Sequence, residues 1–383
     1  MNVLFIDKDS QLEKALWHLQ STRAFAIDLE FDKNRYRYGF NLCLIQVATA
    51  ERCYIIDPLS STLQVRKLFP VLEDKRIQKV VFAFGEDLRL LHSLGCIPQN
   101  IFELSIAWQL LDRPHVSLAM FLETLLKVKI NKSAQKSNWY KRPLSAQQMD
   151  YAVQDVSHLL RAKEVLEQQA GQKNIREWLA EENRFFDRVT FTATNQNIIR
   201  EKEMKGLSEF QWFLFRKFMV LREELARRKN RPPYQMFSSR LVREIAFDKD
   251  LLESWEQNKE IFKALRSTEF KKRLLRSYGE WEREAVALGL SQTKKATGKK
   301  NRDNQRLSRK ERTYREELKK NILLPLRELI AKDYGKNTAA YLLNNRVIEH
   351  LLSGRADKVF AYRRKLFADY ARSAGFDAGD LFG

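Results

Sequence analysis

The segment AFAIDLEFDKN, residues 24–34, limits the possible folds of this chain more than any other. It has the composition of a β-strand, and because side chains alternate across a strand, Asp28 and Glu30 lie on one face and Leu29 on the other. Two neighbouring carboxylates repel each other and lose hydration when buried, so the strand needs either a hydrated face or a bound cation. Taken alone, the segment favours the hydrated face of an antiparallel sheet.

The first 170 residues alternate between strand and helix patterns, which is typical of an α/β domain. Strands are predicted at NVLFI, FAIDLEF, LCLIQVAT, ERCYIID and KVVFAF, and helices at DSQLEKALWHLQ, TLQVRKLFPVLED and EDLRLLHSL. The first helix should have Asp9 or Ser10 as its N-cap. From about residue 103 to 170 the pattern is helical, and beyond residue 175 only amphipathic helices are predicted, so the C-terminal half should be all-α.

Cysteine content and hydropathy exclude several classes of protein. The chain has 383 residues and three cysteines, Cys43, Cys53 and Cys96, which are not in metal-ligand spacing. This pattern argues against a disulfide framework and against a structural zinc site. The N-terminus has charged residues where a secretory signal would be apolar, and no run approaches the length of a membrane span. We therefore expect a cytoplasmic protein with no membrane partner, and the sequence does not indicate an oligomer.

Positive charge is concentrated in the C-terminal half. The chain has a net charge of +20, of which residues 1–170 carry +3 and residues 171–383 carry +17. Much of the excess lies between residues 294 and 315, a segment that has the composition of a linker. This asymmetry favours a nucleic acid as partner over a merely soluble surface. The aromatic segment FQWFLFRKFMVL, residues 210–221, is instead typical of the core of a helical bundle.

Two further acids, Asp87 and Asp155, lie in predicted helices. Asp87 is in the first turn of the helix after KVVFAF, at the edge of the sheet where α/β sites gather, although an acid there also favours the helix dipole. Ser145 and Gln148 form a predicted capping box for a helix on which Tyr151 and Asp155 share one face. Alone, such a pair is usually a surface hydrogen bond.

The combination of these residues is far more specific than its parts. In order along the chain they resemble the motifs of the DEDD exonuclease superfamily, tyrosine subtype, and the surrounding segments resemble ribonuclease D: AIDLEF, LCLIQVA, YIIDP, FGEDLRLL and KSAQKSNWYKRPLSAQQMDYAVQDV. LREELARRKNRPPYQMFSSRLVREIA lies in a segment similar to the HRDC (helicase and RNase D C-terminal) domain, and the last helices resemble a second, degenerate copy.

This resemblance implies a ribonuclease H-like mixed sheet with flanking helices, followed by all-α domains of the HRDC type. The expected organisation is an exonuclease domain at 1–170, a helical connector at 171–204, an HRDC domain at 205–289, a basic linker at 290–316 and an HRDC-like domain at 317–383.

Phosphodiester hydrolysis requires a hydroxide near neutral pH and stabilisation of charge on two oxygens, which two divalent cations provide. Carboxylate ligands without a Cys/His set suit Mg²⁺ or Mn²⁺ better than zinc. By resemblance, Asp28, Glu30 and Asp155 hold the first cation. Asp28 then bridges to the second, which Asp87 supports. Tyr151 is assigned to orient the attacking water, since a phenol is a poor base at its usual pKa.

Substrate contacts are less well specified by the sequence. The candidates are Leu29, Lys132, Trp139 and Arg142. For Trp139, a position in the protein core is at least as consistent with the sequence as a contact with substrate. Phe82 stands where many ribonuclease D sequences have His, and Asn138 stands where Asp is frequent, which affects the expected substrate contacts more than the metal ligands.

The resemblance implies a metal-dependent 3′-to-5′ exoribonuclease that releases nucleoside 5′-monophosphates from RNA with a free 3′ hydroxyl, such as tRNA precursors. A DNA exonuclease of the same superfamily is an alternative, because the four carboxylates do not read the sugar. A catalytically silent nucleic-acid-binding scaffold is disfavoured, because all four acids are present.

Overall fold

The computed structural model of the chain describes residues 1–191, 199, 201–296, 309–376 and 381–382. The chain divides into two compact units, one of residues 1–30, 42–192 and 306–383 and the other of residues 31–41 and 193–305. Residues 297–308 of the predicted linker, and residues 192–198 and 200 of the predicted connector, lie outside the described residues.

The described residues contain one six-stranded mixed sheet, with strands in the order β1-β4-β3-β2-β5-β6. The strands are β1 Asn2–Ile6, β2 Ala24–Lys33, β3 Phe40–Ala48, β4 Arg52–Ile56, β5 Gln78–Val81 and β6 Ile101–Glu103. β1 pairs with β4 in parallel, as β2 does with β5 and β5 with β6, whereas β3 and β4 are antiparallel. The mixed α/β sheet expected from the sequence is confirmed. Sequence analysis missed β6, because three residues are too few to show alternation.

Strand β2 lies inside the sheet and is covered on both faces. Phe25 and Ile27 on one face are buried, and so is Ala26 on the face that carries Asp28 and Glu30. The hydrated-face interpretation of this segment is therefore wrong. The strand has neighbours on both sides and Asp28 and Glu30 are half-buried, so their carboxylates are less hydrated than on an open sheet face.

The first unit contains eight helices before residue 192: α1 Asp9–Gln20, α2 Phe69–Glu73, α3 Gly85–Ser93, α4 Leu104–Leu110, α5 Leu118–Leu126, α6 Ala146–Ser157, α7 Leu159–Gln172 and α8 Arg176–Asn183. The predicted N-cap of α1, Asp9 or Ser10, is wrong, because Lys8 occupies that position and its N–H donates to the Gln11 side chain. The helix predicted at TLQVRKLFPVLED is a 3₁₀ turn, Val65–Leu68, followed by the short α2.

The second unit is helical in its described residues after residue 199, with α9 Glu209–Lys229, α10 Ser239–Phe247 and α11 Thr268–Ala287. Short 3₁₀ turns occupy Glu201–Met204, Pro233–Gln235, Lys249–Leu252 and Lys263–Leu265. Phe215 and Phe218 of α9 are fully buried and pack in one cluster with Trp255 and Tyr278. The core interpretation of the aromatic segment on α9 is confirmed.

The last helices are α12 Arg309–Leu318, α13 Leu324–Tyr334, α14 Lys336–Leu342, α15 Asn345–Leu352 and α16 Ala361–Ser373, with a π-helical turn at Lys319–Leu323. They belong to the first unit, in which Leu326 and Phe367 share a core with Trp108. The expectation of a separate compact domain at 317–383 is therefore wrong, and residues 309–316 are helix and not linker. The apolar faces of these helices are covered by α4 and α8, a non-local arrangement.

A buried ion pair joins α8 to α16 within the first unit. The Arg363 guanidinium lies 2.6 Å from the Glu182 carboxylate, and both side chains are almost fully buried. The Tyr341 hydroxyl donates to the same carboxylate at 2.9 Å. No helix of the described residues is long and apolar enough to span a membrane.

Candidate functional site

The first unit brings together the acids that the sequence singled out. Asp28 and Glu30 project from the same face of β2, and Asp155 projects from α6. One carboxylate oxygen of each lies within 4.8 Å of those of the other two. Asp155 is 3% exposed, whereas the other two side chains are half-buried. The structure thus forms one group from residues more than 120 positions apart in sequence.

Asp87 lies beside this group, in the first turn of α3 as predicted. Its side chain is 8% exposed, and it is close enough to Asp28 for its negative charge to raise the pKa of Asp28. The backbone N–H of Leu29 is within hydrogen-bonding reach of the carboxylates of both Asp28 and Asp87. The four acids therefore form a continuous set along one edge of the sheet.

A fifth acid fixes the turn that presents Asp87. Glu103, at the end of β6, accepts the N–H groups of Ala83 at 2.7 Å and Phe84 at 2.9 Å, just before α3 begins. Ala83 has a left-handed φ of 55°, which a non-glycine residue adopts only where its surroundings impose it. Sequence analysis missed Glu103. The only signal was a single acid at the end of an apolar run.

The carboxylates are held in an environment that disfavours their charge. Burial, followed by the charges of Asp87 and Asp155, raises the pKa of Asp28 well above its usual range. Burial and the charges of Asp155 and Asp87 do the same to the pKa of Glu30. Burial also raises the pKa of Asp87 to about 7 and that of Asp155 to about 7. Four half-buried or buried carboxylates that repel one another fit the oxygen ligands of a hard divalent cation, whose positive charge would relieve this repulsion.

Tyr151 lies one helical turn before Asp155 on α6 and donates a hydrogen bond to its carboxylate. Burial, with the negative charges of Asp155 and Glu30, raises the pKa of Tyr151 far above its usual value. The side chain therefore stays a neutral hydrogen-bond donor at any physiological pH. Its ring centroid lies 6.0 Å from that of Trp139.

The predicted capping box at the start of α6 is confirmed. The Ser145 hydroxyl accepts the N–H of Gln148 at 3.2 Å, and the Gln148 side chain accepts the N–H of Ser145 at 3.1 Å. These two bonds fix where α6 begins and hence which of its faces carries Tyr151 and Asp155.

Two of the predicted substrate contacts have structural partners. The Arg142 guanidinium binds the Asp57 carboxylate at 2.6 and 2.7 Å, and it also donates to the carbonyl oxygens of Cys43, Trp139 and Lys141. Trp139 is buried in the core of the first unit. These contacts give both residues a role in packing, and a role in substrate binding stays a prediction.

The remaining predicted contacts differ in exposure. Lys132 is exposed and donates to the Ser117 hydroxyl at 2.7 Å, whereas the Leu29 side chain is buried. The two residues that depart from the ribonuclease D pattern, Phe82 and Asn138, each contact another side chain or backbone group of the first unit. The Phe82 ring lies 4.8 Å from the Phe121 ring, and the Asn138 side chain accepts the N–H of Tyr140 at 3.1 Å.

Gln46 is a second residue that sequence analysis did not single out. It lies on β3 within the apolar run LCLIQVA and is fully buried. Neither atom of its amide has a hydrogen-bond partner among the described residues. The signal in the sequence was one polar side chain in an otherwise apolar strand.

Known proteins are similar to the part of the chain that carries the site. A family model described as a 3′-5′ exonuclease matches residues 3–170, which include all four acids and Tyr151. Among curated proteins, the ribonuclease D of Desulfotalea psychrophila is 29% identical over 250 residues, covering 63% of this chain and 66% of that protein. The first curated relatives are matched over only 41% to 66% of their own lengths. The resemblance to ribonuclease D is confirmed.

Solved structures agree with this result. The catalytic core of RRP6 from Trypanosoma brucei is 26% identical and covers 75% of this chain and 80% of its own, with a TM-score of 0.62. Escherichia coli RNase D matches 97% of this chain and 99% of its own with a TM-score of 0.67. At 20% identity, this second match shows a shared fold.

Proposed function

Because residues 3–170 match a family model of 3′-5′ exonucleases, we propose that the protein is a metal-dependent 3′-to-5′ exoribonuclease of the ribonuclease D type. The observation that carries the proposal is the convergence of Asp28, Glu30 and Asp155 within 4.8 Å, with Asp87 alongside. The protein releases nucleoside 5′-monophosphates from RNA whose 3′ end carries a free hydroxyl. Structured RNAs such as tRNA precursors are the proposed substrates, and the cytoplasm is the proposed compartment.

The four acids are the proposed ligands of two divalent cations, Mg²⁺ or Mn²⁺. Asp28, Glu30 and Asp155 would hold the first, and Asp87, together with Asp28, would support the second. When bound, such a pair supplies hydroxide near neutral pH and stabilises charge on the attacking and leaving oxygens. The raised pKa values of the acids support this assignment, because carboxylates buried in mutual repulsion gain most from a nearby positive charge.

Tyr151 is proposed to position the water that attacks the terminal phosphodiester. Its high pKa keeps the hydroxyl protonated, so it acts as a hydrogen-bonding group and not as a base. Its bond to Asp155 fixes the direction of the hydroxyl. Glu103 is proposed as a positioning residue, which acts through the turn that carries Asp87.

The choice of RNA as substrate is supported by relatives that are named ribonuclease D. The net charge of +17 on residues 171–383 supports a polyanionic substrate of either kind. The sugar at the 3′ end is therefore the variable to be tested.

The test is digestion of matched single-stranded RNA and DNA with Mg²⁺, Mn²⁺ or EDTA. We expect RNA to be degraded faster than DNA, both cations to support activity, and EDTA to abolish it. Asp28→Asn should be inactive, whereas Asp150→Asn, which changes an exposed acid on the same helix as Asp155, should keep activity. Undiminished cleavage in EDTA, or by Asp28→Asn, would refute the metal assignment, and faster cleavage of DNA would refute the choice of RNA.

A further inference from the structure

The hairpin tip between β2 and β3 is an ordered part of the second unit. The buried Asp32 carboxylate accepts the N–H groups of Arg35 at 2.9 Å, Tyr36 at 3.2 Å and Arg37 at 2.8 Å. One side chain therefore satisfies three consecutive backbone donors. The side chains that the tip displays are held on a fixed turn.

This tip contacts the C-terminal end of α9 and the turn that follows it. The Tyr234 hydroxyl donates to the carbonyl oxygen of Arg35 at 3.1 Å. The Arg227 guanidinium lies over the Tyr38 ring, 5.6 Å from its centroid, and donates to the Tyr38 hydroxyl at 3.3 Å. Both contacts join residues of the second unit. The tip and the end of α9 thus form one surface.

Exposed cations crowd this surface, which we name the basic hairpin surface: Lys33, Arg35, Arg37, Arg227, Arg228, Lys229 and Arg231. The acids whose charges reach Arg227 are Glu223 and Glu224. Seven exposed cations on these two segments favour an anionic ligand. The end of α9 also carries a partial negative charge, but it amounts to about half an electron and offsets little of the positive charge.

Tyrosine rings lie among the cations. Tyr234 is 59% exposed although its hydroxyl is hydrogen-bonded, so the ring is held in place with its surface open to solvent. The Arg35 guanidinium lies 5.1 Å from the centroid of the Tyr36 ring. Cations that track phosphates, combined with aromatic rings on which bases stack, are the two components of surfaces that bind single-stranded nucleic acid.

We propose that the basic hairpin surface binds the backbone and bases of a single strand of RNA. The inference rests on the proposed exoribonuclease function and adds to it a site outside the carboxylate group.

The first test measures binding of a labelled 20-nucleotide single-stranded RNA in EDTA, in which cleavage is suppressed. The variant Arg35→Gln/Arg228→Gln/Lys229→Gln should bind on the order of 10- to 100-fold more weakly near 0.1 M salt. The slope of log K against log salt should fall by about 2, since each lost phosphate contact removes about 0.7. The control Lys249→Gln/Lys272→Gln/Arg276→Gln removes the same charge from exposed positions of the same unit and should bind like the wild type.

A second pair of variants tests stacking at Tyr234. Both Tyr234→Phe and Tyr234→Ala lose the hydroxyl bond to Arg35, but only the alanine variant loses the ring. Tyr234→Ala should bind at least several-fold more weakly than Tyr234→Phe. Melting temperatures of all variants establish that the unit remains folded.

Equal affinities and salt slopes for the two triple variants would overturn the proposal, as would equal binding by the two Tyr234 variants. Preference for a blunt RNA duplex over the single strand would also overturn it. Cleavage of RNA by the wild type in Mg²⁺ is measured separately. Absence of cleavage with surface-dependent binding would refute the exoribonuclease function alone, whereas cleavage with surface-independent binding would refute only the basic hairpin surface.

Discussion

Replacing Asp155 with asparagine should stabilise the metal-free protein above neutral pH while abolishing the proposed activity. Burial raises the pKa of Asp155 from 3.8 to about 7, so its ionised form is much less favourable in the folded protein than in the unfolded chain. Asparagine has nearly the same shape, cannot ionise, and can still accept the hydrogen bond of Tyr151. The side chain proposed to hold a metal therefore destabilises the protein when no metal is bound.

The size of the effect follows from the shift in pKa. Each unit corresponds to about 1.4 kcal/mol, so a shift of about three units corresponds to about 4 kcal/mol at most. Between pH 4 and 7 the folded wild type keeps a proton that the unfolded chain has lost. Its free energy of unfolding therefore falls as pH rises through this window and levels off above about pH 8. Asp155→Asn has no carboxyl group to titrate at this position, so its free energy of unfolding should exceed that of the wild type by a margin that grows between pH 4 and 7.

The assay is denaturant unfolding in EDTA at pH 4.5 and pH 8.5, followed by tryptophan fluorescence. The variants are wild type, Asp155→Asn and the exposed control Asp150→Asn. We expect the Asp155→Asn advantage to be small at pH 4.5 and to reach a few kcal/mol at pH 8.5, with no such change for Asp150→Asn. A lower stability of Asp155→Asn at pH 8.5, or a difference that does not vary with pH, would refute the reasoning.

Three further predictions concern the metal, the tyrosine and the buried ion pair. Protons compete with Mg²⁺ for the carboxylates of Asp87 and Asp155, so the affinity for Mg²⁺ measured by calorimetry should rise as pH increases through about 7. A constant affinity from pH 6 to 8 would contradict the raised pKa values. Tyr151→Phe should lower kcat less than Asp28→Asn does. It should also shift the acid limb of the pH–rate profile to higher pH, because the hydrogen bond that it removes lowers the pKa of Asp155. An unchanged rate and profile would contradict the role assigned to Tyr151. Glu182→Gln should cost about 3 to 5 kcal/mol in unfolding free energy by leaving Arg363 buried without its counter-charge, whereas Glu177→Gln on the same helix should cost little, and equal melting temperatures would argue against a structural role for the pair.

Local patterns predicted much of the site. The alternation in β2 placed Asp28 and Glu30 on one face, the position of Asp87 in the first turn of α3 was right, and the Ser145 capping box fixed the start of α6. Each of these features depends on residues within one turn or one strand. Sequence therefore specified them without knowledge of the fold.

The features that were missed depend on residues distant in the chain. Cover on both faces of β2 comes from elements elsewhere in sequence, so the environment of Glu30 could not be read from its own segment. The support of Ala83 by Glu103 joins residues twenty positions apart. The inclusion of the last helices in the first unit depends on contacts such as that between Arg363 and Glu182, 181 positions apart.

The most direct test of the central claim uses single-stranded RNA labelled at its 5′ end, with either a free or a phosphorylated 3′ end, digested in Mg²⁺ and analysed on a denaturing gel. Chromatography identifies the released nucleotides, and Asp28→Asn is run in parallel. With a free 3′ hydroxyl, the wild type should give a ladder that shortens from the 3′ end and should release nucleoside 5′-monophosphates. A 3′ phosphate, which adds negative charge beside the carboxylates, should block the reaction, and Asp28→Asn should leave the RNA intact. Internal cuts, nucleoside 3′-monophosphates as the main product, or an active Asp28→Asn variant would contradict the assignment of the four acids to exonucleolytic hydrolysis.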